Sequence, residues 1–160
     1  MKTWNSVVDS TCRWLCKTFP DRARTVPRSD FPEISMLTQF KVIPKILYLQ
    51  HFENAESRDY FHRHRWHYMR SLVLSGEYTE ERPGGLKITH RAGQSFAMDH
   101  STVHRVDSWG EDCWTVFLML KPDEDWGWYR RIGNGDLGEF THWRAFLKAR
   151  VPNLDTGKIT

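Results

Sequence analysis

Cysteine is scarce in this chain of 160 residues: Cys12, Cys16 and Cys113 are odd in number and make no disulfide framework, the pattern of a reducing compartment. Cys12 and Cys16 stand one helical turn apart, and no second pair completes a zinc site, so they read as helix residues. Long apolar runs are missing as well. Asp9, Arg13 and Lys17 interrupt the N-terminal segment, which argues against a signal peptide or a membrane span, and the expected location is the cytoplasm. There is no block of one charge. The net charge is +3 and the basic residues are scattered among acids, so a nucleic-acid footprint is not expected. Arg63, Arg65 and Arg70 are a local exception beside a histidine cluster, facing either an anionic ligand or water. Internal repeats and low-complexity segments are absent too. The length fits a single domain large enough to bury a real core.

What is present is a change of pattern along the chain. Val7, Val8, Thr11, Trp14, Leu15 and Phe19 recur at helical spacing and Pro20 ends the run, predicting a short N-terminal helix. Prolines and charges from Asp21 to Pro32 read as a surface linker. Seven candidate strands follow at residues 41–52, 59–64, 66–78, 86–90, 94–98, 103–107 and 113–121, separated by turn signals such as "RPGG" and "SWGED". Strands this short and close predict a mainly β sandwich or barrel. Pro44 places an interruption or a sheet edge in the first of them. The stretch "DWGWYRRIGNGDLG" reads as an ordered aromatic excursion, and Phe140, Trp143, Phe146 and Leu147 share a helical stripe over Glu139–Arg150. The expected organisation is one domain: helix and linker to residue 40, barrel core over 41–121, and excursion plus C-terminal helix over 122–160.

The segment "FHRHRWHYMRSLVLSGEY" carries the chemistry. His62 and His64, two apart on a strand, project to one face and can grip one cation. An isolated strand histidine is ordinarily structural, so a third ligand is needed from a neighbouring strand. His104 in "STVHRV" is the best placed, and His100 falls in the preceding turn. His51, His67, His90 and His142 lack a partner pattern and read as structural.

These two segments resemble the two motifs of the cupin superfamily. In the first, glycine, five residues, H-x-H, three or four residues, glutamate, six residues, glycine, the histidine pair is His62 and His64 and the closing glycine is Gly76. Met69 stands at the glutamate position and Glu56 at the leading glycine. In the second motif Gly93 and His104 match, while Asp99, Ser101 and Ser108 replace the proline, the second glycine and the asparagine. The resemblance spans roughly residues 41–121 and preserves the metal-ligand positions better than the turn positions. It implies a double-stranded β-helix, a jelly-roll barrel, with short terminal helices, similar to small cupins of bacterial and phage genomes.

The resemblance further implies a metal held by His62, His64 and His104. With methionine replacing the family's glutamate, the site is three histidines with open positions, an arrangement shared with thiol dioxygenases, which use Fe²⁺ and O₂. Fe²⁺ is the expected ion, with Ni²⁺, Mn²⁺ and Zn²⁺ as alternatives. Neutral imidazoles leave the site at the charge of the ion and favour a small anionic substrate. Tyr68, Arg70 and Tyr78 are the candidate substrate-facing residues, by hydrogen bonds to a carboxylate or a metal-bound oxygen. Arg105 should point away if His104 points in. The expected function is an oxygen-dependent dioxygenase or oxidase, with a metal-dependent isomerase, lyase or hydrolase and a non-enzymatic ligand-binding or regulatory module as the alternatives. The expected partner is a small molecule, with neither nucleic acid nor membrane, and a homodimer through sheet edges stays open.

Overall fold

The computed structural model describes residues 3–26, 37–52, 59–110, 113–122 and 125–150. Helix α1 (Trp4–Thr18) opens it, with the Thr3 hydroxyl accepting the Ser6 amide at its start and Pro20 just past its end. Twelve strands follow among the described residues: β1 (Ala23–Val26), β2 (Leu37–Ile43), β3 (Leu47–Phe52), β4 (Tyr60–Arg63), β5 (Trp66–Ser75), β6 (Glu77–Arg82), β7 (Leu86–Arg91), β8 (Ser95–Met98), β9 (Val103–Trp109), β10 (Trp114–Pro122), β11 (Gly127–Ile132) and β12 (Asp136–His142). Helix α2 (Trp143–Arg150) ends the described chain.

The strands form two six-stranded sheets, in the orders β1-β2-β3-β10-β5-β8 and β12-β11-β4-β9-β6-β7. Eight of them nest: β6 pairs with β7, β5 with β8, β4 with β9 and β3 with β10, every pair antiparallel. This is one long antiparallel ribbon, closed by the β6–β7 hairpin and wound so that successive turns fall mostly in alternate sheets. A ribbon wound in this way is a double-stranded β-helix, the jelly-roll barrel expected from the motifs. The remaining strands extend it, β2 and β1 beyond β3 in the first sheet, β11 and β12 beyond β4 in the second.

Several elements differ from the sequence pattern. The predicted strand over 66–78 breaks at Gly76, whose φ of 65° lies in the left-handed region and turns the chain from one sheet to the other. Part of the expected linker is strand β1, which pairs with β2 along Ala23↔Phe40 to Val26↔Leu37; residues 27–36 lie outside the described set. The aromatic excursion is the β11–β12 hairpin. Residues 139–142 belong to β12, so the C-terminal helix starts only at Trp143. Pro44 does interrupt the first predicted strand, which is divided into β2 and β3 by a turn with Lys45 at a φ of 68°.

Burial alternates along β5, with Met69, Ser71, Val73 and Ser75 inside and Tyr68, Arg70 and Leu72 exposed. The interior has two apolar groups. Tyr48, Met69, Met98, Phe117 and Met119 form one, and Phe52, Val73, Tyr78, Val106 and Cys113 the other. Met98, Met69 and Met119 are direct neighbours across β8, β5 and β10. On the outer face of the first sheet, α1 lays Val8 and Cys12 on Phe40, Leu49 and Trp114. Trp114 is only 1% exposed, lies against His51, and donates its indole Nε1–H to Asp9 Oδ1 at 3.0 Å.

Trp114 therefore joins helix to sheet by packing and by a hydrogen bond at once. Trp114→Ala should cost about 3–5 kcal/mol of unfolding free energy, the range for deleting a large buried aromatic, read as a lowered midpoint in urea denaturation. A midpoint unchanged within error would show that α1 is not fastened through this residue.

Candidate metal centre

Strand pairing builds the site. His62 on β4 stands directly opposite His104 on β9, so the two side chains share the inner face of the second sheet. His64 lies one residue past the end of β4, just off the strand where a continuous strand was expected, and its ring still meets both. The ring centroids are 4.7 Å apart for His62–His64, 4.7 Å for His62–His104 and 5.1 Å for His64–His104. One nitrogen from each lies within 4.8 Å of the others, a spacing at which all three can hold one ion. His64 Nε2 and His104 Nε2 approach to 2.9 Å. Two nitrogens bound at right angles to a transition metal at about 2.1 Å would stand about 3.0 Å apart, so an ion fits with little rearrangement.

The protonation states suit a metal. Burial, with the neighbouring His62 and His104 adding to it, holds the pKa of His64 well below its usual value, which keeps the imidazole neutral with a free lone pair. His104 Nδ1 lies 2.6 Å from Glu80 Oε2. Burial raises the carboxyl's pKa, but hydrogen bonds from His104, His90 and Arg82 outweigh it and hold Glu80 well below the carboxylate range. An ionised Glu80 accepts the Nδ1 proton, which leaves His104 Nε2 free to ligate an ion. Arg82 completes the carboxylate's partners, its guanidinium 2.8 Å from Oε1, while His90 Nε2 stands at a longer 3.5 Å.

Glu80 is the functional residue that the motifs did not supply. Its signal was its spacing: it lies two residues after the buried Tyr78 on β6, hence on the inner face, beside Val106 in the register with β9. Glu81, one residue on, turns to the opposite face and binds Arg105 and Arg131 there. Arg105 thus points away from the histidines, as alternation along β9 requires.

The candidate substrate residues fare differently. Tyr68 is 57% exposed on the outer face of β5, under the ammonium of Lys121. Arg70 is also on that face, its guanidinium donating to Ser95 Oγ at 2.9 Å. Both are therefore corrected. With Met69 buried in the barrel at 3% exposure, its two strand neighbours must point out. Tyr78 does point inward, but packs at 4% exposure with Phe52 and His90 in the interior. Asp99 is committed to the β8–β9 turn, its Oδ1 accepting from the backbone amides and hydroxyls of Ser101 and Thr102. Glu56 lies outside the described residues. Burial pushes the Cys12 thiol up to about 11 and the Cys113 thiol up to about 12, so neither offers a thiolate near neutral pH.

An aromatic wall stands beside the triad. Trp128 on β11 is opposite His62 in the register and so shares its face. It stacks on Phe146 of α2 at 4.2 Å, and Trp126 stacks on Trp143 at 5.4 Å. The C-terminal hairpin and helix, by sequence an excursion over one face, thus flank the histidines.

No protein-family model and no curated protein matches the chain. Among solved structures, an uncharacterized conserved protein with a double-stranded β-helix domain from Klebsiella pneumoniae is 14% identical, with 68% of this chain and 91% of that one covered and a TM-score of 0.46. Pac13 from Streptomyces, a nucleoside dehydratase, is 12% identical over 74% of this chain and 94% of its own, with a TM-score of 0.46. Drosophila melanogaster CENP-C bound to CAL1 gives 14% identity, coverage of 71% and 96%, and a TM-score of 0.46. The strand order, rather than these overlaps, defines the class. A wound antiparallel ribbon of this order is a double-stranded β-helix of jelly-roll type, and histidines from β4 and β9 converge inside it. No described helix is long and apolar enough to cross a membrane.

Two outcomes follow from this geometry. Glu80→Gln should weaken metal binding by about 10–100-fold, the usual cost of losing the partner that orients a ligating histidine, measured by competition with a chromophoric chelator. Unchanged affinity would remove Glu80 from the site. In the metal-free protein, the unfolded chain takes up a proton on His64 near its ordinary pKa of 6.5 while the folded chain resists it. Stability should therefore fall as pH drops from about 7.5 to about 5, and His64→Gln should flatten that slope in urea titrations. An equal slope in the variant would contradict a buried neutral imidazole.

Proposed function

We propose that the protein is a ferrous-ion-dependent oxygenase or oxidase acting on a small polar or anionic molecule bound at His62, His64 and His104. The observation that carries this reading is the all-imidazole donor set, backed by the buried Glu80 on His104 and, among the described residues, without a carboxylate beside it in the cluster. Imidazole suits iron, nickel and zinc alike, while hard ions such as Mn²⁺ prefer a carboxylate that Met69 does not supply. Three protein ligands leave coordination positions free for substrate and oxygen, and a ferrous ion there would supply the means of activating O₂.

The chain's own residues prepare the site. Glu80 holds the Nδ1 proton of His104 and fixes the ring's orientation. The packing around His64 keeps it neutral, with Phe117 at 5.8 Å and Trp66 at 6.3 Å between ring centroids. Met69, Met98, Met119 and Phe117 make an apolar surface inside the first sheet, facing the histidine sheet across the barrel, which disfavours water inside the barrel. With Arg70 on the outer face, positive charge for an anionic substrate comes from the ion itself.

The test is oxygen uptake by protein loaded anaerobically with Fe²⁺ and offered a panel of small thiols and carboxylates. Uptake that requires both iron and one substrate class, and that disappears in His64→Ala together with the metal, supports the reading. Turnover without oxygen, equal with Zn²⁺ or Ni²⁺, would replace it by isomerase, lyase or hydrolase chemistry with the ion as Lewis acid. Full metal content in His62→Ala, His64→Ala and His104→Ala would remove the site altogether.

A further inference from the structure

A second pair of imidazoles lies outside the triad. His67 is the second residue of β5 and shares its inner face with Met69 by alternation; Met69 pairs with Met98 on β8, and His100 follows Met98 by two residues. The register that joins Met69 to Met98 brings His67 and His100 side by side, and their ring centroids are 4.6 Å apart at an interplanar angle of 62°. Within the triad the corresponding distances are 4.7, 4.7 and 5.1 Å. The two rings are thus as close as the rings of the triad. His100 Nδ1 is shielded from solvent and has no hydrogen-bond partner among the described residues. A buried ring nitrogen left without a partner costs free energy unless something else fills its lone pair or takes its proton.

We infer that His67 and His100 form a second transition-metal site, a two-imidazole clasp on the first sheet, distinct from the triad, whose His62 and His104 are on the second. Both residues are half-buried, which leaves room for water or a ligand at the remaining coordination positions. Two imidazoles select Zn²⁺, Cu²⁺, Ni²⁺ or Fe²⁺ over hard cations. Asp99 does not complete the set through Oδ1, which is occupied by the turn. With two protein ligands against three, the clasp binds more weakly than the triad and fills after it. His64 and His67 are three residues apart, so their Cα atoms are separated by no more than about 10–11 Å, and an ion in the clasp lies near the first one. The inference stands whether or not the triad serves an oxygenase.

The experiment is equilibrium dialysis of the full chain, freed of metal, against increasing Zn²⁺, with bound zinc read by elemental analysis. The parent should take up about two equivalents in two steps. His67→Gln and His100→Gln should each lose the weaker step and keep the tighter one, while His104→Gln should lose the tighter step and keep the weaker. His142→Gln, which alters a histidine outside both clusters, should keep both. Circular dichroism checks that each variant is folded, and two separate clasp variants guard against one of them failing to fold. A parent that saturates at one equivalent overturns the proposal, and so does a second step that survives in both clasp variants.

Discussion

A carboxylate with no solvent exposure at all must be surrounded by donors, and in this barrel Glu80 imposes that requirement on its neighbours. Its two oxygens draw His104 from β9 and Arg82 from its own strand, with His90 of β7 close by, so three strands of the second sheet are tied to one point. The arrangement also fixes chemistry. A histidine held through Nδ1 can present only Nε2, and the direction of that nitrogen is set by the β6–β9 register. On the reverse face of the sheet, the buried pair Glu81 and Arg105 makes a second ionic group, joined by the half-buried Arg131 of β11. Adjacent residues of β6 thus anchor both faces of the sheet, one for the site and one for the β11 extension. Either group, left with one partner missing, would become a liability far larger than the net worth of the pair.

Much of this was legible in the chain. Alternation and turn residues located seven of the eight ribbon strands because a half-buried strand must alternate, whereas β6 was missed beyond Tyr78, and the position of Pro44 marked a real interruption. The terminal helices were visible as stripes, the first of them from Val7 with Pro20 marking its end, whereas α1 begins at Trp4. What escaped the sequence was what tertiary pairing decides. Residues 23–26 carry charge and no alternation, and become a strand only because the edge of β2 is there to receive them. The β11–β12 hairpin hid behind its tryptophans, whose spacing at 126 and 128 suits a strand as well as a loop, and the helical stripe overran the last residues of β12.

The site divided in the same way. The three histidines could be found because a ligand pair two residues apart needs no knowledge of the fold, and their third partner only a guess at which strand lies beside it. Glu80 acts through another residue and belongs to no ligand spacing, so only the inward position next to Tyr78 announced it. Tyr68 and Arg70 were misplaced by chemical type. A tyrosine and an arginine beside a histidine motif suggest substrate, yet the parity of β5, set by Met69, Ser71 and Val73, sends both outward. Facing decides before chemistry does.

The nesting of the ribbon also orders events in time. The β6–β7 hairpin joins neighbours in the chain, β5 and β8 close a longer loop, β4 and β9 a longer one again, and β3 with β10 the longest. Loop-closure entropy favours the inner pairings first, so the expected order runs from the ribbon's closed end toward its open end. His62 and His104 meet only at the third of these closures. An ion held by this triad would therefore come too late to template the early steps of folding; it would act as a latch on a barrel already mostly wound, and its capture would report that winding has reached the outer turns.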